Sequence, residues 1–125
     1  GTSNQMSLRK LKEAQNYIKN APDLPGGYVD MAIAYSELNK SGDAIKSLKT
    51  AYALSKTSED KYIVCYNLSA IYTNINKLDE ALEYAKEAQQ ISNNDDIKEL
   101  ISNIEHAKQS KKRPFKSLLN PNVND

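Results

Sequence analysis

This chain has one cysteine, one histidine and no tryptophan among its 125 residues. A lone Cys65 cannot close an internal disulfide, and no set of metal ligands accompanies it in the sequence. It fits a reducing, cytoplasmic compartment, and the compartment is otherwise left open. Chemistry at the one histidine, His106, would need a nucleophile and an orienting acid beside it. Glu99 and Glu105 share its stretch of chain, but no Ser or Cys motif points to them, so a surface or groove position is expected. There is no glycine-rich phosphate loop, paired-carboxylate motif or metal motif, and no apolar run approaching the about 18 residues that a bilayer span requires. No signal-peptide pattern is visible, and Gly1-Thr2-Ser3 reads as a cloning remnant, which leaves room for a leader or anchor that was removed. These absences argue against an enzyme, a cofactor and a small-molecule substrate.

An excess of one charge is missing too. Seventeen Lys and Arg face sixteen Asp and Glu, a net charge of +1, which selects no class of partner. The distribution is uneven. Lys108, Lys111, Lys112, Arg113 and Lys116 cluster at the end with Asp125 the lone acid, which leaves the body at about −3. Residues 111–125 read as a basic tail or linker, and residues 1–7 as disordered or a cloning remnant.

What the chain has is an internal repeat. Shifted by 37 residues it matches itself without a gap. Tyr35-Ser36-Glu37-Leu38-Asn39-Lys40 falls on Tyr72-Thr73-Asn74-Ile75-Asn76-Lys77, and Ala44, Ile45, Leu48, Ala51 and Leu54 fall on Ala81, Leu82, Ala85, Ala88 and Ile91. Upstream, Tyr28, Met31 and Ala32 fall on Cys65, Leu68 and Ser69. A period of this length means stacked supersecondary units that share one core.

The apolar spacing within the period is helical. Leu8, Leu11, Ala14 and Ile18, with Tyr17 beside them, form a first stripe. A second helix is expected from near Pro25 to Leu38, and a third after Asn39-Lys40-Ser41-Gly42, with Ser41 as its N-cap. Thr57 to Asp60 supply cap candidates for a fourth helix ending near Thr73. Asn76 is the expected N-cap of a fifth helix ending near Ser92. Asp96 and Glu99 read as a variant capping box for a sixth, which presents Ile97, Leu100, Ile101, Ile104 and Ala107 on one face and fades near Ser110. The first helix shares the register of the third and fifth. The sixth is an atypical terminal unit, wet on Lys98, Glu99, Glu105 and Lys108.

Each full unit resembles a tetratricopeptide repeat, whose first helix reads large-x-x-Leu-small-x-x-Tyr and whose second carries Ala-x-x-x-aromatic before Pro. Here the first part is Tyr28, Met31, Ala32, Tyr35, and then Cys65, Leu68, Ser69, Tyr72; the second is Ala44 with Leu48, and Ala81 with Ala85. Lys56 and Asn93 replace the terminal Pro, and each period is about three residues longer than that family's. The resemblance covers residues 8–107. It implies an all-α, right-handed α-solenoid of helix-turn-helix repeats with about six helices, a domain over residues 8–110 with a half repeat, two full repeats and a capping helix.

The resemblance also implies a concave surface lined by the first helix of each pair, which holds a peptide or helix of a protein partner. The residues off the packing stripe are Val29, Ile33 and Ser36 in unit one, Tyr66, Asn67, Ala70 and Thr73 in unit two, and Ser102, His106 and Gln109 on the sixth helix. This floor reads as partly apolar and mostly neutral. The bland alternative is that Val29 and Ile33 pad the core between repeats. A clamp of Lys, Asn and Arg for a C-terminal carboxylate, used by some members, finds Asn67 in place but Val29 and Ile33 where Lys and Asn are required. Of eight tyrosines, Tyr17, Tyr28, Tyr35 and Tyr72 are expected to pack in the repeat, and Tyr52, Tyr62, Tyr66 and Tyr84 at half-exposed edges. Self-association of repeat ends through Leu8 and Leu11, giving a homo-oligomer, and anionic-surface binding through the tail are the competing readings. Nucleic acid and membrane are the less expected partners.

Overall fold

The computed structural model describes residues 2–112, which form six helices and, among the described residues, no strand. They are α1 (Thr2–Asn20), α2 (Gly26–Glu37), α3 (Ser41–Leu54), α4 (Ser58–Asn74), α5 (Leu78–Ile91) and α6 (Asp95–Lys112). Helices α2 and α3 pack as one hairpin and α4 and α5 as the next. Helix α1 lies against α2, α3 against α4, and α5 against α6, so the repeats stack in chain order around one core.

Small residues set the spacing inside each hairpin. Ala32, Ala44, Ala81, Ala85 and Ala88 are fully buried, which lets the backbones approach. Ser69 is also fully buried, and its hydroxyl donates to the Ala81 carbonyl at 2.7 Å, so the polar group costs no unpaired donor. Tyr72 fills the adjoining space, 7% exposed. It stacks on Tyr84 at 5.9 Å between centroids, and Tyr84 meets Tyr52 edge-on at 6.2 Å. In unit one the counterpart of Tyr84 is Ser47. A cleft of about 250 Å³ lined by Tyr28, Tyr35 and Ser47 opens there.

The turns inside the hairpins differ from the capping expected of them. Asn39 and Asn76 have φ of 65° and 67°, and neither α3 nor α5 has a side-chain N-cap. The Lys40 and Lys77 amides donate back to the Tyr35 and Tyr72 carbonyls, and the Asn39 and Asn76 amides to the Ser36 and Thr73 carbonyls. This is the Schellman closure of α2 and α4, with asparagine in the left-handed position that it tolerates better than branched residues. Asn76 therefore ends α4 and does not start α5, and Ser41 is the first residue of α3, not its cap. Thr57 caps α4 as expected, accepting from the Asp60 amide at 3.1 Å. The cap of α6 is Asn94, whose Oδ1 accepts from the Ile97 amide at 2.9 Å, two residues earlier than the Asp96–Glu99 box.

Helix α1 corrects the sequence reading at both ends of its stripe. It is helical from Thr2, ahead of the Leu8 at which the sequence reading began the domain. Ser7 is 5% exposed and donates to Glu37 Oε1 at 2.9 Å, which also pairs with Lys10 at 3.5 Å. Burial follows Ser7 and Ala14, with Leu11 and Ile18 half-buried, while Leu8 and Tyr17 are exposed at 54% and 50%. Gly27 explains the close approach of α2: a Cβ there would stand 2.7 Å from Ile18 Cγ1. The basic tail beyond Lys112 lies outside the described residues.

Candidate functional site

The first helices of the successive units are α2, α4 and α6, and α4 touches α6. Pro25, Gly26, Val29 and Asp30 of α2 meet Asp60, Ile63 and Val64 of α4 around a cleft of about 260 Å³. The cleft has an apolar floor. Val64 is 1% exposed and Val29 9%, and both belong to the core cluster. Val29 is therefore inter-repeat padding as much as groove, as the bland reading had it. Ile33 is different. It is 40% exposed on α2, four residues beyond Val29.

Ile63 was missed by the sequence reading. At 45% exposed it is the most open large apolar residue of α2 and α4, opposite Val29 across the cleft. The signal was present: in the 37-residue register Ile63 falls on Gly26, so the comparison of units that exposed Val29 and Ile33 showed a blank at its counterpart. Asp30 and Asp60 were missed as well, because a repeat comparison highlights apolar matches and both are polar.

The remaining expected residues divide by their hydrogen bonds. Asn67 donates to the Ile63 carbonyl at 2.8 Å and Thr73 to the Ser69 carbonyl at 2.7 Å, so both side chains are tied to their own helix. Ser36 and Ala70 are half-buried on α2 and α4. Tyr66 leans toward α6. Its ring lies 6.1 Å from that of Tyr62, and its hydroxyl pKa is pushed up by burial, then by the Asp96, Tyr62 and Glu99 groups. Tyr62 in turn donates to Asn94 Oδ1 at 3.2 Å, which fixes the start of α6 against α4. His106, Ser102 and Gln109 are exposed on α6. His106 is not among the residues around the α2–α4 cleft.

Cys65 and Tyr52 lie on the other side of α4. Cys65 is fully buried, and burial with the nearby Glu87 carboxylate pushes its thiol up to about 12. Tyr52 donates to Glu87 Oε2 at 2.6 Å, and that hydrogen bond with burial pushes its hydroxyl up to about 12. Both groups stay protonated and inert at neutral pH. Among the described residues no group of His, Cys, Asp and Glu is placed to hold a metal. No described helix is long and apolar enough to cross a membrane.

The architecture is that of an all-α solenoid of helical hairpins, a class built to present a repeated helix face. Residues 62–95, which span most of α4, all of α5 and the turn into α6, match the tetratricopeptide-repeat family model, and this chain carries a tetratricopeptide repeat. No curated protein matches the chain. Repeats of this family generally mediate protein–protein interaction and form a non-catalytic type of scaffold.

Proposed function

We propose that α1 to α6 act as one non-enzymatic binding module, which seats a peptide or helix of a partner protein on the α2–α4–α6 face. The observation that supports this most is Ile63, 45% exposed in the wall of a cleft with an apolar floor, with Ile33, 40% exposed, further along α2. Side chains standing open on a repeat surface, next to a concavity, are what an apolar anchor of a partner covers. The test is an Ile33→Glu, Ile63→Glu double variant, checked for helix content and melting point, in a pull-down from native lysate. Proteins held by the wild type and lost by the folded variant are expected. A catch that the variant leaves unchanged would remove this face from the function. Val29→Glu is the wrong probe, because a buried charge there would unfold the repeat.

A second reading rests on α1. Met6, Leu8 and Tyr17 are each at least half exposed there. They would serve self-association of the repeat end, and light scattering showing a monomer at every concentration would dismiss it. Binding of anionic surfaces through the basic tail is a reading of residues outside those described.

A further inference from the structure

We infer that the segment seated on the α2–α4–α6 face belongs to another protein and is basic, with Lys or Arg flanking a short apolar anchor; this rests on the peptide-binding reading above. The anchor follows from the cleft. About 260 Å³ floored by Val29 and Val64 and walled by Ile63 accepts one aliphatic side chain. The flanking charge follows from the acids that line it and from those next along α4 and α6. Asp30 and Asp60 line the same cleft, and Asp96 and Glu99 act on Tyr66 from α6. All but the half-buried Asp60 are exposed.

Two cations of these helices are engaged elsewhere, and none lines the cleft. Helix α2 has no Lys or Arg. The Lys61 ammonium of α4 lies 4.0 Å over the Tyr52 ring of α3. Lys108 of α6 pairs with Asp79 of α5 at 2.7 Å. Lys98 is exposed one turn before Ser102 on α6, so it shares that helix's open face and offsets part of the Glu99 charge. The carboxylates of Asp30 and Asp60 therefore border an apolar slot with no cation in its lining, and a neutral or acidic segment would leave them uncompensated. Asp60 and Asp96 stand in first turns, where the positive helix end takes up part of their charge, whereas Asp30 and Glu99 lie a turn further in.

The experiment is selection of random twelve-residue displayed peptides on the full chain, followed by affinities of the enriched peptides at two salt concentrations. Net-positive peptides with one or two central Leu, Ile or Met are expected. Their affinity should fall about tenfold with the Asp30→Asn, Asp60→Asn, Glu99→Gln triple variant, and hold with a Glu80→Gln, Glu83→Gln control on α5. Peptides that are lost with Ile33→Glu, Ile63→Glu but carry no excess of Lys or Arg would overturn the charge assignment and keep the groove. Peptides indifferent to that double variant, or no enrichment, would overturn the groove reading and this inference with it. A tenfold gain in affinity when Lys111, Lys112, Arg113 and Lys116 are all changed to Gln would make the chain's own basic segment the occupant, and would also overturn it.

Discussion

Glu87 places two acidic protons under one carboxylate, and that gives the chain a weakness at high pH. Tyr52 moves from 10.0 to about 12 and Cys65 from 9.0 to about 12 on folding. Between those limits the folded chain holds protons that the unfolded chain gives up. Stability therefore falls as pH rises from about 9 toward 12, and this contribution is flat below about 8. The melting point should drop across that window, and less steeply in a Cys65→Ala, Tyr52→Phe variant. An unchanged slope in the variant would assign the alkaline loss to other groups. The tyrosine at the end of each first helix provides a second test. Tyr72 is 7% exposed and stacked on Tyr84, so Tyr72→Ala should cost about 3–5 kcal/mol, out of a total near 6–19 kcal/mol for a chain of this length. Tyr35 occupies the same register but is only half-buried and has Ser47 in place of the stacking ring. Tyr35→Ala should cost clearly less in denaturant melts, and equal costs would contradict the difference between the units. The register puts Ser47 where Tyr84 stands; it did not tell that Tyr72 stacks on that ring.

At the scale of elements, the period made the helices legible and the turns ambiguous. Six helices appear, as the apolar spacing had it, and α1 alone starts well before its stripe; inside the hairpins small residues at Ala32, Ser69, Ala44 and Ala81 leave few ways to pair amphipathic helices. The turns failed for a chemical reason. Asparagine serves both as an N-cap and as the left-handed residue that closes a helix, and Asn76 lies within two residues of both helices. The structure chooses the second role, with φ at 67° and the Lys77 amide bonded to the Tyr72 carbonyl at 2.9 Å. The two roles predict opposite mutant rankings. At an N-cap serine would substitute well and glycine slightly less so. At the closing position Asn76→Gly should be neutral or stabilising, and Asn76→Val should cost about 1–2 kcal/mol. Asn76→Ser should fall between them, and serine outperforming glycine in thermal melts would restore the N-cap.

At the scale of the whole molecule, the candidate site was half legible. The proposed face followed from the register and the family resemblance, yet the acids of its cleft did not, because Asp30 and Asp60 meet only when α2 and α4 are laid side by side. Burial of Val29 was equally invisible, since whether an apolar residue off the stripe pads a neighbour depends on how closely the next unit stacks. That stacking is uneven, and it fixes how stability is distributed. In a solenoid each unit is held by its own hairpin and its neighbours, so an end with little apolar burial opens first. Helix α4 buries Val64, Cys65, Leu68, Ile71 and Tyr72, and α5 buries Leu78, Ala81, Ala85 and Ala88. Nineteen-residue α1 buries only Ser7 and Ala14, and one of its attachments is the half-open Ser7–Glu37–Lys10 group. Native-state hydrogen exchange should find α1 amides opening at the lowest free energy and the α4–α5 amides exchanging last, near global unfolding. Ser7→Ala should lower α1 protection further, by about 0.5–1.5 kcal/mol for the lost hydrogen bond, and leave α4 and α5 unchanged. Protection of α1 equal to that of α4 would mean that the array unfolds as one unit, with α1 held by more than its few buried contacts.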